Sequence, residues 1–287
     1  MTFTNIGKHE DSGNFKMGVV KFNLLNEEDR EQRDQAELKP DQGEPQQLYL
    51  GYEPKYGHSH FDPLHLALFA EGQELLPDIG YTHTIYRQWT MSTLAHNTVV
   101  VDGDDMARSG QAAEEASHGG NIEVFAPNTD NVQVVRAQQE SAYPQVEQYE
   151  REAWMIGFPD DTSNQGYVLD LFRVTGGTRH EYTLNGDANR DASFTTNIPL
   201  SEYGPYLLPP GTTVREPISE RDRGSAEGHY YGYLYVRDVD HAELPDGKYE
   251  LHLETSDGSG PQAGMKITGL VEQGNNELFI GQAPSLQ

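Results

Sequence analysis

A chain of 287 residues, 35% of them hydrophobic, is long enough to bury a sizeable core as one large β domain or two smaller ones. With no cysteine it is not a disulfide scaffold, and no apolar run approaches the length that spans a membrane. Acidic residues number 46 against 20 basic ones, and the resulting formal charge of −26 repels nucleic-acid phosphate and anionic membranes, so neither is expected as a partner.

Residues 1–45 are expected to form an N-terminal strand and a charged loop packed on the sheet made by the rest. Met1 to Asn5 carries no basic region followed by an apolar stretch, so no export signal is read there. Val19 to Leu25 has strand character. Asn26 to Lys39, with Glu27-Glu28-Asp29-Arg30-Glu31 at its head and almost no apolar stripe, reads as a solvated loop or a short surface helix without chemistry. Pro40, Gly43 and Pro45 punctuate the entry into residues 46–287, which read as a single β-sandwich domain.

Leu48 to Tyr52 is the first predicted strand of that domain. Leu64 to Ala70 alternates like a sheet with one face on the core, His65 lying on the other face, and Glu71-Gly72-Gln73-Glu74 turns it into Leu75-Leu76 as a hairpin. Asp102-Gly103-Asp104-Asp105 looks like part of a calcium loop but lacks the remaining ligand positions, and an Asp-Gly turn accounts for it. Further strands are predicted at Asn121 to Phe125, Val132 to Ala137, Val146 to Trp154, Tyr167 to Val174, His180 to Leu184, Tyr230 to Val236, Tyr249 to Glu254 and Lys266 to Val271. Their spacing, without helical periodicity of any length, predicts an all-β, antiparallel β-sandwich.

The chemistry gathers between Gly57 and Asp102. His58-Ser59-His60 alone has two readings: two histidines that merely share a strand face, or two ligands. Asp78 and His96 return just outside strand-like runs, and imidazole nitrogen and carboxylate oxygen are the donors that zinc takes in sites with three protein ligands. His60, Asp78 and His96 are therefore the candidate metal set. Between the last two lie Tyr81, His83, Tyr86 and Trp89, too irregular for a core strand. Such aromatics suit the rim of a carbohydrate site, where ring faces pack on sugars, and equally suit simple packing.

In order, these residues resemble a known family. Gly57-His58-Ser59-His60-Phe61-Asp62, the alternating strand, Leu75-Leu76-Pro77-Asp78-Ile79-Gly80-Tyr81 and Ala95-His96-Asn97-Thr98-Val99-Val100-Val101-Asp102 are similar to the heparinase II/III-like β-sheet domain of polysaccharide lyases. The alginate and oligoalginate lyase branches are the nearest in pattern. The likeness continues through Tyr149-Glu150-Arg151, Tyr167 to Val174 and Gly176 to Tyr182. It implies a polysaccharide lyase that cleaves uronic-acid glycans by β-elimination, removing the proton beside a carboxylate and expelling the glycosidic oxygen. It implies His58 and Tyr86 as catalytic residues, with Tyr81 the alternative tyrosine, and Tyr81, Trp89 and Asn97 as substrate contacts. It also implies that zinc at His60, Asp78 and His96 is structural. Relatives carry an N-terminal helical toroid that shares the cleft, and these 287 residues encode no helical domain of that size. A missing toroid domain is thus an expected partner beside an anionic polysaccharide, and a non-catalytic carbohydrate-binding domain is the alternative function. The acidic surface would repel a polyuronate at long range, which leads to the expectation of a salt-rich setting where the Debye length falls to roughly 3 Å at 1 M.

Overall fold

Period-two alternation of apolar and polar residues dominates the chain, and a computed structural model shows the sheets it builds. The structure describes residues 4–6, 18–24, 46–52, 60–80, 82–106, 121–129, 132–158, 166–222, 230, 232–256, 260–271 and 274–285. The expectation for Asn26 to Lys39 lies outside them. Among the described residues the fold is all-β, and every strand pairing is antiparallel.

The first sheet runs in chain order through β1 (Thr4–Ile6), β2 (Gly18–Leu24), β3 (Gln46–Tyr52), β4 (Leu66–Ala70) and β5 (Gln73–Leu76). A short helix, α1 (Arg87–Met91), then leads to β6 (Val99–Val101). The second sheet is a meander of β7 (Asn121–Thr129), β8 (Val132–Gln138), β9 (Val146–Gly157) and β10 (Gly166–Gly176). β11 (His180–Tyr182) returns to pair with β6. The remaining strands make two three-stranded sheets. β12 (Asp191–Thr196), β15 (Gly247–Ser256) and β16 (Pro261–Val271) form one, and β13 (Ser201–Tyr206), β14 (Arg237–Glu243) and β17 (Glu277–Gln282) form the other.

Leu48 and Leu50 of β3 share one core with Val135 and Ala137 of β8, with Tyr149, Ala153 and Met155 of β9, and with Leu253 of β15. The first two sheets therefore pack face to face as a sandwich, each fully buried aliphatic side chain contributing about 1.5–3 kcal/mol before entropy is counted. β6 is the seam between this core and a second one. Val99 and Val101 point into the first, while Val100 joins Trp89, Leu94, Tyr233, Leu234 and Tyr235 in the second. β9 uses its two faces differently. Its odd-numbered residues from Tyr149 to Met155 face the core, and Glu150 and Glu152 on the other face meet Arg173 (2.7 Å) and Arg136 (3.3 Å).

Two departures from the sequence reading have physical causes. Tyr230 to Val236, read as a strand from its aromatic and β-branched content, is a 3-10 turn over Tyr233–Tyr235. Tyr230 takes a left-handed backbone (φ 62°), and the amides of Tyr233 and Tyr235 close onto the carbonyls of Tyr230 and Gly232. The rings enter the second core from a turn, a placement that composition alone does not distinguish from a strand face. The strands β12, β13, β14 and β17 were not anticipated, because Asp191–Thr196 is mostly polar and Ser201–Tyr206 contains Gly204 and Pro205.

The Asp-Gly reading at Asp102 agrees with the backbone. Asp102 (φ 56°) and Gly103 (φ 74°) are both left-handed, as the primed hairpin turn requires, and the Asp104 amide donates to the Val101 carbonyl at 3.1 Å. The Asp102 carboxylate accepts from the Thr178 amide (2.8 Å) and hydroxyl (2.7 Å), the Arg179 amide (3.0 Å) and the Gln145 amide group (3.1 Å). These donors, Thr178 foremost, hold its pKa down to about 2. Because the folded value lies below the unfolded one near 3.9, the stabilisation is present above about pH 4 and is lost as pH falls through 2. Asp102→Ala is expected to lower the urea midpoint at neutral pH, with the gap to wild type narrowing between about pH 4 and 2. A gap that stays constant over that range would show that the charge of this carboxylate does not hold the turn.

Candidate metal centre

Three loops separated in sequence bring the polar cluster together. The first is a tight turn in which the Asp62 carbonyl accepts the His65 amide at 2.9 Å, with Pro63 and Leu64 in the middle. Leu64 has φ 59°, the left-handed value that a type II turn needs at its third position and that a non-glycine residue adopts at a cost of about 1–3 kcal/mol. The second loop follows β5, where Asp78 accepts the Gly80 amide on Oδ1 (2.7 Å) and leaves Oδ2 facing the cluster. The third is the 3-10 turn Thr93–Ala95, which ends at His96.

The tautomer of His96 follows from its neighbours. Its Nδ1 lies 2.8 Å from the Ser92 carbonyl, which can only accept, so Nδ1 carries the proton and the Nε2 lone pair is turned into the cluster. Around that lone pair stand His60 Nδ1 at 3.0 Å, Asp78 Oδ2 at 3.7 Å and Asp62 Oδ2 at 4.0 Å. One donor atom from each of His60, Asp62, Asp78 and His96 lies within 4.8 Å of the others. Donors bound at 2.0–2.1 Å around one tetrahedral ion would be separated by about 3.3 Å, so the group needs only a small contraction to enclose a divalent cation.

The electrostatics favour a cation as well. Burial depresses the pKa of His96 and of His60, and takes that of His65 down to about 3, so the imidazoles present lone pairs instead of charge. Asp62 is pushed up to about 7, first by burial and then by the charge of Asp78. Asp78 lies below its ordinary value: burial works against ionisation, and His96, His65 and the Gly80 amide outweigh it. Two buried atoms of this neighbourhood, Asp62 Oδ1 and His65 Nε2, have no hydrogen-bond partner among the described residues. His65 Nδ1 accepts the Asn97 amide at 3.0 Å, which leaves the proton on Nε2, 4.0 Å from Asp78 Oδ2. Unsatisfied buried groups of this kind cost about 1–3 kcal/mol each, and a bound ion that draws the carboxylates inward would reduce that cost.

The scaffold beneath these loops is a set of buried polar clamps. Arg151, on the core face of β9, donates through Nη1 to the Leu64 carbonyl (2.8 Å) and the Asn97 carbonyl (2.5 Å), and pairs bidentately with Asp170 at 2.9 and 2.7 Å. Thr183 donates to the His96 carbonyl (2.6 Å), and the Asn185 amide group reaches the carbonyls of Leu94 (3.1 Å) and His96 (3.3 Å). The Tyr149 hydroxyl donates to the Val99 carbonyl at 2.5 Å. The turn holding Asp62 and the turn holding His96 are thus fixed to the sheet by side chains distant in sequence.

Of the residues singled out from sequence, His60, Asp78 and His96 come together, and Asp62 joins them. His58 and Tyr81 lie outside the described residues. Tyr86 precedes α1 and is 42% exposed, its ring centroid 6.2 Å from that of Tyr235. Trp89 is only 1% exposed and sits in the second core, so its face is not open to a sugar ring as placed. Asn97 is fully buried, donating to the Pro77 carbonyl and accepting the Asn185 amide, and its side chain acts within the fold. His65 is buried and structural. Asp62 was not singled out from sequence as a member of this cluster, although the signal was there: it follows His60 at the same two-residue spacing that ties His58 to His60.

The sequence profile of the family described as "Heparinase II/III-like, C-terminal" matches residues 30–185. Over 141 residues the chain is 30% identical to an alginate lyase of Stenotrophomonas maltophilia (strain K279a), a match covering 45% of this chain and 18% of that protein. Solved structures with a similar fold include a heparinase III with methylated lysines (TM-score 0.42, 13% identity, 91% of this chain and 42% of that one). A heparan sulfate lyase mutant from Pedobacter heparinus is similar at TM-score 0.40 and 16% identity, over 80% of this chain and 40% of that one. The chain spans less than half the length of each of these proteins.

Arg151→Met leaves the half-buried Asp170 without its cation and releases two loop carbonyls. The expected loss is about 3–5 kcal/mol in unfolding free energy, read by urea denaturation. A loss below about 1 kcal/mol would show that the two loops do not depend on this guanidinium.

Proposed function

Because the chain belongs to the heparinase II/III-like C-terminal family, we propose that it is the β-sheet part of a polysaccharide lyase that cleaves uronic-acid glycans by β-elimination. The observation that carries this reading is the convergence of His60, Asp78 and His96 in a chain matched by that family over more than half its length. Elimination requires that the uronate carboxylate be neutralised, that the neighbouring carbon lose its proton, and that the departing glycosidic oxygen gain one. His58, two residues before His60, is assigned to the substrate carboxylate. Tyr86 is assigned to proton transfer, and the residue is 42% exposed. Tyr81 is the alternative for that role.

Zinc is the cation proposed for the cluster, held by His60, Asp78 and His96, since imidazole and carboxylate are its customary donors. When bound it supplies a fixed positive charge that ties the three loops together. Its role is structural, and the chemistry is left to the side chains beside it. The proposed substrate is an anionic polysaccharide or oligosaccharide. A helical toroid domain is the proposed partner that completes the cleft, in keeping with the 18% of the alginate lyase that the chain covers. The formal charge of −26 makes screening salt favourable for approach of a polyanion.

The test is incubation with alginate and with heparan sulfate at low and high salt, following the ultraviolet absorbance of the unsaturated product. Tyr86→Phe is expected to lower the rate by about 100-fold or more while leaving the thermal midpoint in place. Product formation unaffected by Tyr86→Phe would remove that residue from the chemistry. Retention on immobilised glycan without any absorbance would identify a non-catalytic carbohydrate-binding domain instead.

A further inference from the structure

Asp62 remains unexplained by a three-ligand site. Its side chain is largely enclosed, and Oδ1 is buried with no hydrogen-bond partner among the described residues. The turn that delivers it delivers His60 as well, two residues earlier, and its Oδ2 stands 4.0 Å from His96 Nε2 on the same side as Asp78. A second carboxylate placed beside Asp78 in a desolvated pocket is repelled by it, unless a positive charge sits between them.

We propose that Asp62 is a fourth protein donor, so that His60, Asp62, Asp78 and His96 form a closed site with no position left for water or substrate. The inference rests on the reading that the cluster holds a divalent cation, and it deepens that reading. Two neutral imidazoles and one carboxylate would leave a net charge of +1 on a divalent ion, in a pocket where His96 is fully buried. The second carboxylate brings the assembly to neutrality, which is the cheaper state away from water. A site closed in this way cannot polarise a substrate oxygen directly, because that chemistry requires an open position. Asp78 is the most exposed of the four, so the cluster is open to solvent on its side.

The experiment uses cobalt(II) as an optical probe and zinc affinity by chelator competition. Wild-type protein loaded with cobalt should show intense four-coordinate visible bands that azide does not shift. Asp62→Ala should weaken zinc binding by more than about 100-fold, beyond what loss of an outer-shell group costs, and should make the cobalt bands respond to azide. His83→Ala, which alters an exposed histidine outside the cluster, should do neither. Azide sensitivity of the wild-type spectrum overturns the closed site without recourse to any variant, which covers the case in which Asp62→Ala does not fold. Zinc affinity of Asp62→Ala within about 3-fold of wild type overturns the assignment of Asp62 alone and leaves the metal reading standing. Wild-type protein that takes up neither metal overturns both.

Discussion

The guanidinium of Arg151 is the constraint on which the metal loops depend. A buried arginine is stable only if its charge is balanced and its five N–H donors are occupied, and here Asp170, Tyr182 and the carbonyls of Leu64 and Asn97 do both. Phe172, the cross-strand neighbour on β10, places its ring 5.3 Å from the guanidinium carbon and seals that side. The two carbonyls belong to the residue after Pro63 and the residue after His96. One side chain on the rigid central strand therefore fixes the backbone of two loops that would otherwise move independently. The left-handed conformation of Leu64 is tolerable for the same reason, since its carbonyl has a charged donor waiting where the turn aims it.

Above that clamp the cluster is arranged to attract positive charge. Its imidazoles are held neutral by burial, the His96 lone pair is aimed inward by the Ser92 carbonyl, and two carboxylates face one another at the rim. Such an arrangement is unfavourable on its own, and the fold sustains it through Thr183, Asn185 and Tyr149, which hold the backbone from His96 to Val99. The asymmetry between loops and ligands is informative. The loop carbonyls of Leu64, His96 and Asn97 all accept side-chain donors, whereas Asp62 Oδ1 and His65 Nε2, on residues of the cluster and beside it, are buried without a partner among the described residues. Trp89 Nε1, in the second core, is another buried polar atom of this kind among the described residues, so it is the company of the His60, Asp78 and His96 donor atoms that gives these two their meaning.

Local pattern carried much of this into the sequence. Strand β8 was readable because Val132–Gln138 alternates strictly between buried and half-buried positions, and β9 because Val146–Gly157 is long and carries Val, Tyr, Trp and Ile between turn residues. His60, Asp78 and His96 were readable because each flanks a strand-like run in an ordered set of motifs. What could not be read is what depends on distance between residues far apart in the chain. Trp89 looked like a sugar platform because nothing local says that Tyr235 and Leu208 will close over it. Asn97 looked like a substrate contact because its partners, Pro77 and Asn185, come from other loops. The aromatic run from Tyr230 to Val236 misled for a related reason: the same residue types line a strand face or a 3-10 turn, and the packing partner decides.

The order in which these layers act bears on what a bound ion would do. His60 and His96 are 36 residues apart, and in a chain without other constraints a metal linking them would have to overcome the entropy of closing that loop. Here the linkage is already made by protein groups, since Leu66 donates its amide to the Asn97 carbonyl at 3.1 Å and Arg151 grips both sides. A cation would therefore meet a site whose backbone is in place, and its binding free energy would go into stabilising the folded form, about 2.7 kcal/mol at a free concentration 100 times the dissociation constant. A scaffold that holds its metal loops before the metal arrives also holds whatever projects from the same loops. Tyr86 lies between the second and third of them, so a rigid ion-filled cluster would fix both ends of the segment that carries its exposed ring.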